Sequence, residues 1–190
     1  MILLARHGRT ADNAPPQRIQ GSRDPRLDDV GRRQAVELAA AVEPYGIAAL
    51  WTSRLLRARE TAAIVGDALG LEPRVDERLA ESHRGSWEGR LIEEVQREEP
   101  EAWAAWLRAG AAFRFPGGGE SLAEHQERVL AGLDAVRAGP EPALLVSHGG
   151  TIRAIAAARH PRGLDAFHEL DVRNAMLIDL DDPGRWIDGA

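Results

Sequence analysis

Ile2-Leu3-Leu4-Ala5-Arg6-His7-Gly8-Arg9-Thr10 is an apolar run that stops at an arginine, a histidine and a glycine. A buried parallel strand reads as a continuous apolar run, and open α/β sheets bind ligands at the carboxyl edge of such strands. The pattern nearly recurs at Ala143-Leu144-Leu145-Val146-Ser147-His148-Gly149-Gly150. Two separate buried strands therefore each end in His-Gly. Two imidazoles at one sheet edge, with Arg6 beside the first, predict a site for an anionic substrate.

Working outward, strand and helix alternate. Ile2–Ala5 is the first strand. The stretch from Gly8 to Leu27 carries Pro15-Pro16, Gly21 and Pro25, and reads as a functional loop. Asp28 caps a helix through Val30, Gln34, Val36, Leu38 and Val42, which ends before Pro44-Tyr45-Gly46. Ile47–Trp51 is a second strand. Thr52-Ser53 open a helix through Leu55, Leu56, Ala62, Ile64, Val65 and Leu69, with Gly70 just past its end. Arg74–Val75 is a short extended piece. Residues 90 to 115 break the alternation: an acidic amphipathic stretch, then Trp103, Trp106, Phe113 and Phe115, read as a helical insertion. Ser121-Leu122-Ala123-Glu124 is a capping box. It opens a helix with Leu122, Val129, Leu130, Leu133 and Val136 on one face. Ala143–Val146 is the second deeply buried strand, Thr151–Ala158 a helix and Ala175–Leu180 a last strand. The economical architecture is an α/β layer sandwich, one domain over 1–190 with a small helical cap at about 90–118.

Composition bounds the function. The chain has 190 residues, 44% of them hydrophobic and 28% charged, as soluble globular domains do. Its net charge of −6 and lack of a basic tract exclude a general nucleic-acid binder. Absence of cysteine excludes disulfides, thiol catalysis and thiolate metal sites. No apolar run approaches the ~20 residues that span a bilayer, and no leader pattern precedes the first strand, so the expected location is cytoplasmic with no membrane partner. Every basic residue is arginine. Where positive charge sits is thus informative, but the choice of Arg over Lys is not.

Arg6 and His7 follow one strand, Arg57 opens the helix after another, and His148 follows a third. Guanidinium groups bind phosphate bidentately, and a phosphate monoester carries close to two negative charges near neutral pH. A neutral imidazole among them is a competent nucleophile. The leaving alkoxide then needs a proton, which a partly protonated carboxylic acid supplies. The candidate is Glu81, in Leu79-Ala80-Glu81-Ser82-His83-Arg84-Gly85-Ser86-Trp87-Glu88-Gly89.

These segments, with Asn13, Gln20-Gly21, Ser53 through Ala58, Thr61-Ala62 and Gly118-Gly119-Glu120-Ser121, resemble those of the histidine phosphatase superfamily. The similarity is to the branch of cofactor-dependent phosphoglycerate mutases and their small phosphatase relatives. It runs in the family's order from residue 2 to about 155. The resemblance implies a three-layer α/β sandwich with a mostly parallel central sheet and helices on both faces. It implies that His7 becomes phosphorylated, that Arg6, Arg57 and His148 hold the phosphoryl oxygens, and that Glu81 is proton donor and then base. Asn13 and the Gly149 N–H would add phosphate hydrogen bonds, and Gln20-Gly21 would line the substrate side. Neither a metal nor another cofactor is implied. The implied partner is a small phosphorylated metabolite, and a second copy of the chain in a homodimer remains open.

The bland readings are specific. His7 and His148 could simply be packed at strand ends, and Arg57 could be a surface charge like Arg54 and Arg59. Glu88 competes with Glu81. The aromatics at 103, 106, 113 and 115 read first as packing between helices. His125, His160 and His168 read as incidental. Arg9, where the family commonly has an acidic residue or Gln, adds positive charge at the pocket mouth or only a solvated one. His83 and Arg84 stand where they could touch substrate. The leading expectation is metal-independent hydrolysis of a phosphomonoester. The alternatives are a phosphoglycerate mutase, a non-catalytic phospho-ligand sensor and a zinc site on His7, His148 and Glu81.

Overall fold

In the computed structural model the chain is described over residues 1–182 and, for its backbone, at 186–187. The last residues of the expected 1–190 span, 183–185 and 188–190, lie outside the described residues. The elements run β1 (Ile2–Arg6), α1 (Asp29–Val42), β2 (Ala49–Thr52), α2 (Leu56–Leu69), β3 (Arg74–Val75), α3 (Ile92–Glu98), α4 (Pro100–Arg108), α5 (Leu122–Arg137), β4 (Ala143–Ser147), α6 (Gly149–Ala157), β5 (Leu177–Asp179) and β6 (Trp186–Ile187). One six-stranded sheet has the order β3-β2-β4-β1-β5-β6. The first four of these strands are mutually parallel, while β5 and β6 pair antiparallel.

The sandwich follows from the period of two along a strand. In β1, Ile2 and Leu4 pack with Val129, Leu133 and Val136 of α5 and with Ile152 and Ile155 of α6. Leu3 and Ala5 face the other way, onto Leu38 and Val42 of α1 and Ala58, Ala62 and Val65 of α2. β4 divides likewise, with Ala143 and Leu145 on the first side and Leu144 and Val146 on the second. Both faces are covered, so β4 is buried throughout and is apolar except at Ser147, whose hydroxyl donates to Leu79 O. Cutting one of these leucines to alanine costs about 2–5 kcal/mol. A third cluster joins Trp87, Val95, Trp106, Phe115 and Phe167, covering one end of α6 at Ala154 and Ala157.

Register sets the site. Arg6 lies opposite Ser147, so His7 and His148 leave the sheet side by side, and the His7 N–H donates to Ser147 O at 2.9 Å. Gly8 then runs against α1. A Cβ on Gly8 would lie 2.3 Å from Gly31 O, and one on Gly31 would lie 2.0 Å from Arg9 O. Only glycine at both positions lets the loop rest directly on the first turn of that helix.

Several boundaries differ from the sequence expectation. α2 begins at Leu56 rather than at Thr52-Ser53. Thr52 stays in β2, and the Ser53 hydroxyl is taken up by His148. α6 begins two residues early, at Gly149, so that Gly149 and Gly150 form its first turn. The last strand shrinks to Leu177–Asp179 because Ala175 adopts a left-handed φ of 57° and turns its N–H onto Arg6 O and His7 O. In α1 Val36 is exposed, and Ala35, Leu38, Ala39 and Val42 form the buried face. Among the described residues, no helix is long and apolar enough to cross a membrane.

Candidate active site

A cavity of 350 Å³ opens at the carboxyl edge of β1 and β4. Arg6, His7, Asn13, Gln20, Gly21, Arg57, Glu81 and Gly149 all line it. His148 does not; it is fully buried beneath His7, with ring centroids 5.3 Å apart.

His7 has one nitrogen committed and one available. Nδ1 lies 2.7 Å from Gly8 O, which a ring N–H must satisfy. The proton is therefore on Nδ1, and Nε2 keeps its lone pair. Nε2 accepts from Arg57 Nε at 3.2 Å, as only a neutral ring can. Burial, reinforced by Arg57, Arg6 and His148, holds the His7 pKa well below the ordinary histidine value. A neutral, oriented imidazole is the form in which His is a nucleophile.

Arg57 is fixed by main-chain acceptors, through Nη1 to Arg23 O at 2.6 Å and Nη2 to Gly21 O at 2.9 Å. The loop residue Gly21 thus holds the arginine as well as lining the cavity. Thr61, one turn on, donates to Arg57 O and accepts the Gly8 N–H, tying α2 to the His7 loop. Arg6 donates Nη1 to Val172 O at 2.6 Å, and its Nε is buried with no protein partner. Burial pushes both guanidinium pKa values down to about 10, and both stay cationic near neutrality. His148 Nε2 meets Ser53 Oγ at 2.6 Å while its Nδ1 is buried and unpartnered. Buried donors left without partners are costly, and an anion in the cavity mouth is the partner that would satisfy them. Asn13 Oδ1 accepts from the Thr10 N–H, Thr10 Oγ and Asn174 Nδ2, which leaves its own amide N–H groups for a ligand.

Glu81 is only 9% exposed and docks on the first turn of α6. Its Oε2 accepts the Gly150 N–H at 2.9 Å, and its Oε1 accepts the Ser82 N–H at 2.9 Å. A Cβ at Gly150 would sit 2.2 Å from Oε1, so the second glycine of Gly149-Gly150 makes room for the carboxylate. Burial pushes the Glu81 pKa up, but Arg84, His125, His148 and the Gly150 N–H outweigh it and leave it below the usual carboxylate range. These neighbours favour an ionised carboxylate over the expected partly protonated acid.

Other residues fall outside the expected roles. Glu88, the competitor, accepts from Ser22 and from the Arg84 N–H and does not line the cavity. Arg9 adds no free charge at the mouth: its Nε is 2.8 Å from Asp28 Oδ2, while Asp28 Oδ1 caps α1 at Gly31 N. His83 is exposed and lines an adjoining cavity with Arg54, Glu120 and Arg128, which shares Glu81 with the first. Arg84 does line the main cavity, as do Trp103, Trp106 and Leu107. The cap aromatics therefore do two things. Trp106 packs against Phe113, Phe115 and Phe167, and together with Trp103 it also forms cavity wall.

Four side chains escape sequence reasoning. Arg153 lines the cavity one turn after Gly150, a spacing on one helix face that could have been read. His168 lines it too, edge-on to Trp106 at 4.4 Å. Asn174 holds His7 O and Asn13 from 167 and 161 residues away, and nothing local announces it. His125, far from incidental, is fully buried with Nε2 at 4.0 Å from Glu81 Oε1.

The buried histidines make stability pH-dependent. Burial lowers the pKa of His7, His148 and His125, the last to about 4. Below pH ~6.5 the unfolded chain takes up protons that the folded one refuses, so stability is full above that pH and is lost toward the folded values. His125 alone should cost about 2 kcal/mol between pH 7 and pH 5. Urea unfolding at the two pH values measures it, and equal stabilities would show that these rings take up protons in the fold as readily as in the unfolded chain.

The family-model comparison matches the histidine phosphatase superfamily (branch 1) over residues 2–185. Probable phosphoglycerate mutase GpmB of Yersinia enterocolitica is 38% identical over 183 residues, 95% of this chain and 84% of that protein. Glucosyl-3-phosphoglycerate phosphatase of Mycolicibacterium vanbaalenii is 38% identical over 204 residues, 98% of this chain and 89% of that one. Among solved structures, a mycobacterial glucosyl-3-phosphoglycerate phosphatase in complex with VO3 superposes with a TM-score of 0.83 at 33% identity, covering 93% of this chain and 90% of its own. Bacillus stearothermophilus YhfR superposes with a TM-score of 0.83 at 31% identity, covering 94% and 90%. With the matched model spanning nearly its whole length, the chain belongs to the histidine phosphatase superfamily, in branch 1.

Proposed function

We propose that this protein hydrolyses a small phosphomonoester through a phosphohistidine on His7. The observation that carries the reading is the unprotonated Nε2 of a neutral His7, hydrogen-bonded by Arg57 Nε, at the wall of a cavity where Arg6 and Arg57 also stand. Nε2 attacks phosphorus in line, forming the P–N bond as the P–O bond to the alcohol breaks. Arg6 and Arg57 take the charge of the transferring oxygens, and Asn13 and the N-terminus of α6 at Gly149 add donors. The alcohol oxygen leaves with a proton from Glu81. In the second step Glu81 takes a proton from water, the new O–P bond forms as P–N breaks, and phosphate departs. Gln20 and Gly21 lie along the substrate side of the cavity. The arginines supply the positive charge that a metal ion supplies in other phosphatases, which supports a metal-independent reaction.

Glu81 is held as an ionised carboxylate, so its proton has to arrive with the substrate. A phosphate monoanion carries it, because monoanion plus carboxylate has the same proton count as dianion plus carboxylic acid.

The similarity to a probable phosphoglycerate mutase supports transfer back to an alcohol as the second reading. The deciding experiment offers 3-phosphoglycerate, glucosyl-3-phosphoglycerate and an aryl phosphate in excess EDTA. Release of inorganic phosphate is the expected outcome. Isomerisation of 3-phosphoglycerate without phosphate release would replace hydrolysis by mutase chemistry, and phosphate binding with neither reaction would leave a sensor.

A further inference from the structure

Glu81 stands in a segment, 80–84, that belongs to no helix or strand, so no ladder of its own holds its backbone in place. Side chains from three other elements take over. Ser147 Oγ, at the end of β4, donates to Leu79 O at 2.8 Å, and Thr151 Oγ1, on α6, donates to Ala80 O at 3.2 Å. The widest grip comes from α5. Arg128 Nη1 donates to Arg78 O at 2.8 Å and to Ala80 O at 3.0 Å. Its Nε and Nη2 meet Glu120 Oε1 and Oε2 at 2.9 and 2.8 Å. Glu120 Oε2 in turn accepts the His83 N–H at 2.9 Å, and the Glu120 N–H donates to His83 O at 2.8 Å. The pair therefore holds the chain on both sides of Glu81, at Ala80 and at His83. Arg128 lies on α5 and Glu120 directly precedes its Ser121 cap, so one helix carries both halves of the grip. A planar guanidinium reaches two carboxylate oxygens and two carbonyls at once, whereas an ammonium is a single point of charge. Burial pushes the Glu120 pKa up, but Arg128 and the His83 N–H outweigh it, so the pair is ionic. Both residues line the adjoining cavity and neither lines the cavity at His7, so neither is placed to touch a substrate there.

We propose that Arg128 and Glu120 are positioning residues for Glu81: they clamp the chain on either side of it and so fix where its carboxylate meets the leaving oxygen. This rests on the phosphomonoesterase reading for what Glu81 does, and hydrogen exchange tests the clamp apart from turnover. Gly150 lies in the first turn of α6, where an N–H has no partner within the helix, and Glu81 is its acceptor, as it is for the Ser82 N–H. These two amides report where the carboxylate stands. Arg128→Lys keeps the charge and loses the fork. Exchange at Gly150 and Ser82 should then speed up about tenfold or more, while the amides of Leu144 and Leu145 in β4 keep their rates. Kinetics should show the same selectivity. For an alkyl phosphate, whose leaving group needs the proton, kcat/KM should fall about 10–100-fold, the scale of a reacting group displaced by about 1 Å. Release of nitrophenol from nitrophenyl phosphate in the first turnover needs no proton and should stay within about threefold. In Glu81→Gln protein the same substitution should cost the alkyl ester no more than about twofold further, because no proton donor is left to position. Glu120→Gln, which keeps an acceptor for the His83 N–H, should follow the same pattern with smaller losses, and it stands in if the lysine variant does not fold. Unchanged exchange at Gly150 and Ser82 overturns the clamp. Equal losses on the two esters, or a full further loss in the Glu81→Gln background, overturn it too and make the pair a support for the fold at large. Faster exchange at these two amides alone, in a protein that hydrolyses neither ester, keeps the clamp and removes the phosphatase reading instead.

Discussion

Replacing His7 with alanine lowers kcat for phosphomonoester hydrolysis by about 10⁴-fold or more, the scale seen when a covalent nucleophile is removed. The cause is narrow. In the proposed reaction Nε2 is the nucleophile, and the ring's tautomer is set by a single Nδ1–H bond to Gly8 O. No second imidazole can step in, since His148 is fully buried beneath His7 with its Nε2 engaged by Ser53. Arg57 remains anchored on Gly21 O and Arg23 O, and Arg6 on Val172 O, so the cationic cradle survives the substitution. Inorganic phosphate should still bind, within roughly tenfold of the parent affinity. Steady-state kinetics and phosphate titration check the two halves. Substantial residual turnover would mean that water attacks phosphorus directly, and lost phosphate binding would mean that the variant had collapsed the site.

Glu81→Gln separates the two chemical steps. Glutamine can still accept the Gly150 N–H at the helix terminus, but it carries no transferable proton. For an alkyl phosphate the leaving alkoxide has to be protonated, and kcat/KM should fall about 10²–10⁴-fold. A nitrophenolate leaves without a proton, so the first step on nitrophenyl phosphate is spared while the second, which needs the base, is not. The expected trace is a stoichiometric burst of nitrophenol followed by slow turnover. The parent enzyme should show the matching pH dependence on alkyl esters. Arg84 and the Gly150 N–H keep Glu81 ionised, so the reactive species is the substrate monoanion, whose share falls about tenfold per pH unit above its second pKa near 6. kcat/KM should decline along that limb as pH rises. A rate that climbs from pH 6 to 8 would mean that the proton comes from another group.

Much of this was legible because the decisive strands are buried on both faces. Two four-residue apolar runs, each followed by one polar residue and then His-Gly, read as central parallel strands, and their register brings His7 beside His148. Segments whose role depends on distant partners were not legible. Ser53 looks like a helix cap, but its hydroxyl goes to a histidine 95 residues away, and the helix starts at Leu56 instead. Nothing about Ala175 announces a positive φ, so the last strand reads too long. Arg9 looks like a free charge until Asp28 is seen beside it. Asn174 enters the site on a loop without a motif, whereas Arg153 follows from Gly150 on one helix face. The ionisation of Glu81 could not be read from sequence. It results from a balance between burial and four neighbours drawn from three separate segments.

The most direct test of the account is the covalent intermediate itself. Glu81→Gln protein is mixed with nitrophenyl [³²P]phosphate, quenched in alkali, where phosphohistidine survives, and digested to locate the label. The account predicts near-stoichiometric label on the peptide carrying His7, absent when His7 is also replaced by alanine. Continued release of nitrophenol with no labelled protein, or label on any other residue, would contradict it.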